Sequence, residues 1–269
     1  MIKALGPDRG LLTVRIGLSQ VQRDNLITRS APDEKVPDLL SFRLRDLTSE
    51  ERLVLEKADL TRETPASYGS GAELEFAIRK ALAALEVEFS PYKASEMRER
   101  HWQPRSEAVW QRRPLMRANP PVAPNIWVKE EDLSKLVAWE DRYQVPVIIV
   151  HLFDQEGFAI TLRRIKEFND RLEADPAQSV KVQVTTGIFK KDQVYERVDA
   201  QGARETKRVF VISPAVAMKV GDVTDVQVEA QLGFSQSKKY VAHPIFKGGQ
   251  IRISEEFLAL LANLRGSGT

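Results

Sequence analysis

The sequence lacks cysteine altogether, and its 269 residues include only three histidines. Disulfide bonds, zinc–thiolate sites and thiol nucleophiles are therefore excluded, and the composition favours a cytoplasmic location. Long apolar runs are absent as well: no stretch approaches the roughly 18 residues needed to cross a bilayer. The N-terminal residues lack the apolar core of a signal peptide. We therefore expect a soluble cytoplasmic protein with no membrane partner.

Several motifs of well-known enzymes are also missing. The chain has no Walker A loop, no GxGxxG turn after a strand, no GxSxG elbow and no HExxH helix. Nucleotide-binding, α/β-hydrolase and zinc-protease chemistry are therefore not indicated. The histidines, His101, His151 and His243, do not stand at the spacing of metal ligands. We expect His151, which lies inside an apolar strand, to be a core or supporting histidine.

What the chain does contain is enough apolar sequence for a sizeable core. Hydrophobic residues make up 42% and charged residues 29%, with a formal net charge of +2. This balance is typical of a folded domain, and the net charge alone does not indicate a nucleic-acid binder. We expect an α/β (α+β) fold with a mixed central sheet flanked by helices. The predicted parts are a helix and strand segment over 1–65, an α/β core over 66–175 and a β-rich part over 176–265, packed as one compact domain.

The best-defined unit runs from Asn125 to Leu162. A short strand ending at Lys129 is followed by an amphipathic helix over 132–143, because apolar residues recur there at helical spacing. The continuous apolar run over 145–153 indicates a strand buried on both faces. Residues 157–162 are predicted to form a neighbouring strand, and a helix over 165–172 follows.

Shorter patterns cover much of the remaining chain. Further strands are predicted at residues 11–16, 87–89, 180–186, 193–198 and 206–212. Further helices are predicted at residues 49–59, 71–85 and 254–264, the last with Ser254 as its N-cap. Residues 247–250 are expected to form a tight turn. A proline-rich stretch over 90–124 is irregular, and a loop this long in a compact domain is usually functional. Its arginines are Arg98, Arg100, Arg105, Arg112, Arg113 and Arg117.

Carboxylates and a lysine remain as the candidate chemistry. Phosphodiester cleavage needs a divalent cation, which carboxylates hold and which lowers the pKa of an attacking water. A nearby lysine can stabilise the developing charge. Lys129 ends a strand just before a helix, and Glu140 lies on the inward face of that helix with Asp141 beside it. Glu75 lies on the preceding helix, and Glu107 is the acid that lies between these elements.

Each of these residues also has a purely structural interpretation. Glu75 can pair with Arg79, one helical turn further along. Glu140 can lie at the rim of the core, and Lys129 can be one surface lysine among many. The arginine-rich stretch can be a solvated loop. The case for chemistry therefore rests on the arrangement of these residues.

The order of these elements resembles the PD-(D/E)XK nuclease core, and type II restriction endonucleases in particular. The resemblance covers about residues 71–162, and the strand Ile126-Trp127-Val128-Lys129 is similar to the lysine strand of the family. The family has an acid two residues before the lysine, where this chain has Trp127, and the proline–aspartate signature is absent. One subgroup of restriction enzymes supplies the missing acid from the following helix, where Glu140 stands.

The resemblance implies a restriction-endonuclease-like core and a metal-dependent endonuclease that cleaves double-stranded DNA as a homodimer. Glu107 and Glu140, with Asp141 as the alternative, would hold Mg²⁺ or Mn²⁺. Lys129 would help to activate water, and Glu75 would support the metal ion. The arginines between residues 98 and 117 would contact DNA.

Two other functions stay open at this point. A non-catalytic DNA-binding or assembly protein with a degenerate nuclease core is favoured by Trp127 in the acidic position. An unrelated α/β enzyme that acts on a small molecule is the third possibility.

Overall fold

The computed structural model of the chain describes residues 11–15, 35–58, 75–76, 78–90, 94, 124–198, 204–234 and 240–264. The strands are β1 (Leu11–Arg15), β2 (Leu39–Arg43), β3 (Ala83–Phe89), β4 (Ile126–Lys129), β5 (Val147–Leu152), β6 (Glu156–Thr161), β7 (Ile188–Val198), β8 (Arg204–Ile212), β9 (Met218–Phe234) and β10 (Tyr240–Ile253). The helices are α1 (Ser49–Ala58), α2 (Glu130–Tyr143), α3 (Leu162–Ala174), α4 (Ser179–Thr186) and α5 (Glu255–Asn263).

These strands form a seven-stranded sheet and a three-stranded sheet. The larger sheet has the order β1-β2-β3-β5-β6-β9-β10, and the smaller one has the order β4-β8-β7. Strands β3 and β5 are parallel, whereas the other neighbours are antiparallel. The fold is therefore mixed α/β, with a mixed sheet flanked by helices, as predicted. Segments from all three predicted parts of the chain contribute strands to the larger sheet.

Apolar residues on both faces of the larger sheet are buried. One face packs against α2 and α3, and the same core includes residues of the smaller sheet such as Phe210 and Ile212. The other face packs against α5 through Phe257 and Leu261. Helix α5 begins after Ser254, whose hydroxyl accepts a hydrogen bond from the Phe257 amide at 3.1 Å. The predicted N-cap is therefore confirmed.

The unit from Asn125 to Leu162 has the predicted order of strand, helix, strand and strand. Strand β5 is buried along its whole length, as its continuous apolar run predicts. One feature differs from the nuclease-like expectation: β4 pairs with β8 in the smaller sheet, whereas β5 and β6 belong to the larger one. The lysine strand therefore does not pair with β5 in one sheet.

Three predicted elements are wrong in type or extent. The helix over 71–85 ends earlier, because β3 begins at Ala83 and residues 83–85 are buried between β2 and β5. Residues 180–186 form a helix rather than a strand. The hydroxyl of Thr186 there donates to the carbonyl of Val182 at 2.7 Å. The predicted turn over 247–250 lies within β10.

None of the helices in the described part of the chain is long and apolar enough to span a membrane.

Candidate functional site

Two glutamates share one face of β3 at its C-terminal end. Because side chains alternate along a strand, Glu86 and Glu88 are on the same face as Ala84, which packs in the core beside α2. Strand β5 runs parallel to β3, so the carboxyl ends of both strands meet at one edge of the sheet. Ligands in α/β proteins commonly bind at such an edge.

Lys35 joins Glu86 to the first turn of α2. Its Nζ lies 2.6 Å from Oε1 of Glu86 and 3.1 Å from Oδ2 of Asp132. The side chains of Lys35 and Glu86 are only 13% and 7% exposed. Asp38 approaches from the same segment, and its Oδ2 accepts a hydrogen bond from the Val87 amide at 2.9 Å. A buried ion pair therefore links β3, α2 and the chain before β2.

Burial raises the pKa of Glu86 to about 7, although Lys35 opposes the change and Asp38 adds to it. Burial also acts to lower the pKa of Lys35, but the carboxylates of Glu86 and Asp132 outweigh it, and the pKa is raised. We infer that Lys35 stays charged at neutral pH while Glu86 exchanges its proton there. Buried groups with perturbed pKa values next to a charged partner are typical of functional sites.

Glu88 lies at the open end of this group. Desolvation of its carboxylate by the surrounding protein raises the pKa of Glu88, and the ammonium groups of Lys35 and Lys129 oppose that change. Glu88 is solvent-exposed near the end of β3. We call Lys35, Asp38, Glu86, Glu88, Lys129 and Asp132 the acid–lysine cluster.

His151 on β5 is aligned with Glu88 on β3. It is 6% exposed, as expected for a core histidine, and its ring lies 4.9 Å from that of Phe153. Its Nδ1 has no hydrogen-bond partner among the described residues. Burial lowers the pKa of His151 to about 4, so the ring is neutral at physiological pH.

The predicted metal ligand Glu140 does not meet Lys129. Lys129 precedes the first residue of α2, whereas Glu140 is near its last turn, so the helix separates them by about 16 Å. Oε2 of Glu140 instead accepts a hydrogen bond from the Val147 amide at 2.6 Å. Burial raises the pKa of Glu140, and this hydrogen bond opposes the change. Lys129 and Glu140 therefore do not meet at one site in this structure.

The structure describes two of the other predicted site residues, Glu75 and Asp141, and both lie near the C-terminal end of α2. Glu75 forms an ion pair with Arg142 of α2. Asp141 is exposed near the same end of α2 as Glu140. Glu107 and the arginines between residues 98 and 117 lie outside the described residues. Across the described ranges, no group of three or more acidic or histidine side chains is placed to hold a metal ion.

Sequence patterns indicated Lys129 but missed the acids beside it. The alternation Leu85-Glu86-Val87-Glu88-Phe89 puts two acids on one face of a strand, and that signal was available. It was overlooked because the predicted helix ran to residue 85, which left a predicted strand of only three residues, 87–89, that contained Glu88 but not Glu86. Lys35 and Asp38 could not be found in the same way, since their contacts with β3 are distant in sequence.

No protein-family model, no curated protein and no solved structure matches the chain. The chemistry of the acid–lysine cluster is therefore the basis for assigning a function.

Proposed function

We propose that the protein is a Mg²⁺-dependent endonuclease of double-stranded DNA, and that the acid–lysine cluster is its catalytic site. The observation that carries this proposal is the buried carboxylate of Glu86, held 2.6 Å from Lys35 at the end of two parallel strands. Burying a charged pair costs free energy. Its position at an edge suited to ligands favours a chemical role over a structural one.

A divalent cation fits the acids of this cluster. Oε2 of Glu86 is buried and has no hydrogen-bond partner within the described ranges, and Glu88 is two residues further along the same face. Mg²⁺ is commonly held by one or two carboxylates together with water and substrate phosphate, so a third acid is not required. When bound, the ion would polarise the phosphate and lower the pKa of the attacking water.

The remaining groups have distinct roles in this proposal. Lys35 holds the Glu86 carboxylate in place through their ion pair. Lys129 is exposed at the end of β4, and its ammonium group favours the ionised form of Glu88 electrostatically. The same group can neutralise charge that develops on a phosphate oxygen. The sequence already predicted that Lys129 assists catalysis, and the proposal retains this role. Its proposed acidic partners are now Glu86 and Glu88.

The proposal is tested with the full chain, mixed plasmid DNA and a Mg²⁺ titration. We expect Glu86→Gln and Glu88→Gln to lower the cleavage rate by about 10²-fold or more, the usual effect of removing one electrostatic group at a catalytic centre. The control Glu167→Gln removes an exposed acid that pairs with Arg163 on α3, and it should cleave normally. Thermal unfolding and DNA binding by fluorescence anisotropy show whether each variant is folded and binds DNA. Wild-type cleavage by folded Glu86→Gln and Glu88→Gln proteins would contradict the assignment.

A non-catalytic DNA-binding or assembly protein is the second candidate. It is favoured by the lack of a three-ligand metal group in the described part of the chain and by Lys35, which already neutralises Glu86. In the same experiment, DNA binding without cleavage at any Mg²⁺ or Mn²⁺ concentration supports this candidate and refutes the endonuclease.

A further inference from the structure

His151 and Glu88 share one face of the larger sheet on neighbouring strands. Strands β3 and β5 are parallel, and their register aligns Glu88 with His151, just as it aligns Ala84 with Val147. Ala84 and Val147 both pack in the core beside α2. Because the face alternates along a strand, the residues four positions further on are on that same face. Aligned residues of neighbouring strands have backbones about 4.8 Å apart, so Glu88 and His151 are adjacent.

The other aligned neighbour of His151 on this face is aromatic. Phe158 of β6 is aligned with His151, and the ring of Phe153 lies 4.9 Å from the imidazole ring. The rings of Phe153 and Phe158 also meet each other edge to face, with centroids 6.2 Å apart. Of the side chains aligned with His151 on the two neighbouring strands, Glu88 is therefore the one that carries polar atoms.

The imidazole of His151 has a buried nitrogen that its surroundings do not satisfy. Its Nδ1 has no hydrogen-bond partner in the described part of the chain. A buried polar atom without a partner destabilises a fold, so it calls for an explanation such as a functional role or a bound ion. Burial lowers the pKa of His151 to about 4, which leaves the ring neutral at pH 7. Neutral imidazole is the form that binds metal ions.

We infer that His151 is a metal ligand beside Glu88, so that this site binds first-row transition metal ions more tightly than Mg²⁺. Imidazole suits transition metals, whereas Mg²⁺ takes oxygen ligands and retains water. Across the described ranges, no three acidic or histidine side chains are grouped to hold a metal ion. Two protein ligands are therefore expected, with water in the remaining positions. The inference rests on the proposed function in one respect, because it uses Glu88 of the acid–lysine cluster.

The charge and exposure of the acid–lysine cluster suit a divalent cation next to His151. The cluster has four carboxyl groups and two lysines, so its formal excess of negative charge is two. Asp38 and Glu88 contribute to the raised pKa of Glu86, and a cation would relieve this repulsion between acids. Glu88 is exposed near the end of β3, so an ion can reach the pair from solvent.

Metal binding in the absence of DNA tests the inference. In isothermal titration calorimetry of the full chain at pH 7.5, without a histidine tag, we expect Mn²⁺ to bind more tightly than Mg²⁺. His151→Leu should weaken Mn²⁺ binding by about 10-fold or more, since even groups that only support a ligand have effects of this size. It should leave Mg²⁺ binding unchanged. The control Ile149→Val removes one methyl group from the same face of β5 and should bind Mn²⁺ as wild type does. Equal Mn²⁺ affinity of wild type and folded His151→Leu would overturn the inference.

Pulsed EPR of the wild type with Mn²⁺ keeps the inference testable if His151→Leu does not fold. A bound imidazole nitrogen couples to the electron spin of Mn²⁺, and the chain has only three histidines. We expect this coupling in wild type and in the variants His101→Gln and His243→Gln. Its absence from wild type, or its loss in either of these variants, would refute the assignment to His151.

The two proposals can fail separately. Mn²⁺ binding with nitrogen coupling, but without DNA cleavage, would refute the endonuclease and support His151 as a ligand. DNA cleavage by a protein whose Mn²⁺ signal shows no nitrogen coupling would support the endonuclease and refute the role of His151.

Discussion

At the scale of single residues, two buried titratable groups on neighbouring strands respond to pH in opposite directions. Burial raises the pKa of Glu86 to about 7, so its protonated form is favoured in the folded protein. Glu86 therefore contributes its full stabilisation of the folded state below pH 4.5, and this contribution is lost as the pH rises towards 7. Burial lowers the pKa of His151 to about 4, so its contribution is full above pH 6.5 and is lost as pH falls towards 4.

Replacing His151 by leucine should remove one source of acid sensitivity. We expect His151→Leu to have nearly wild-type stability at pH 7.5, since the wild-type ring is neutral there. By pH 4 the variant should be more stable than wild type by about 3 kcal/mol, at about 1.4 kcal/mol for each pH unit. Urea unfolding at several pH values measures this difference, and the effect of Glu86 cancels because both proteins contain it. A difference that does not change with pH would contradict the buried, neutral histidine.

At the scale of elements, the end of α2 is joined to the start of β5 by one hydrogen bond. Oε2 of Glu140 accepts from the Val147 amide, and Val147 is fully buried. An unsatisfied buried amide costs about 1–3 kcal/mol. Glu140→Ala should therefore lower the free energy of unfolding by that amount, measured by urea denaturation. Glu140→Gln keeps an acceptor oxygen and should be nearly neutral. Loss of DNA cleavage in a stable Glu140→Gln protein would instead restore the metal-ligand role first predicted for this residue.

Elements with a strong local pattern were predictable, and those that depend on distant neighbours were not. The helix over 132–143 and the strand over 145–153 follow from periodicity and a continuous apolar run. The start of β3 was missed because a buried apolar segment such as Ala83-Ala84-Leu85 fits a helix or a strand equally well. Helix α4 is rich in valine and threonine, which favour strands, so its tertiary surroundings override the local preference. The same limit applies to the candidate site. Lys129 could be identified because it lies at a recognisable junction of a strand and a helix. Its interaction with Glu88 could not be predicted, because it depends on the tertiary fold.

At the scale of the whole molecule, the two sheets share one hydrophobic core. Helices α2 and α3 contribute to it together with β5 of the larger sheet and β8 of the smaller one. The ring of Phe210 on β8 meets that of Phe168 on α3 edge to face, with centroids 6.3 Å apart. Since packing connects the sheets through these helices, we expect them to unfold as one cooperative unit. Such rigidity would also hold the acid–lysine cluster, whose groups come from β3, β4, α2 and the chain before β2.

Phe210→Ala tests this coupling because Phe210 is fully buried in the smaller sheet. Removing the ring should lower global stability by about 3–5 kcal/mol. If the core is one unit, the slowest-exchanging amides of β5, in the other sheet, lose protection by the same free energy in hydrogen exchange. The control Leu53→Ala changes a side chain that is 51% exposed on α1 and should leave that protection unchanged. Loss of protection confined to β4, β7 and β8 would mean that the smaller sheet unfolds independently. Lys129, at the end of β4, would then be released from the acid–lysine cluster when the smaller sheet unfolds.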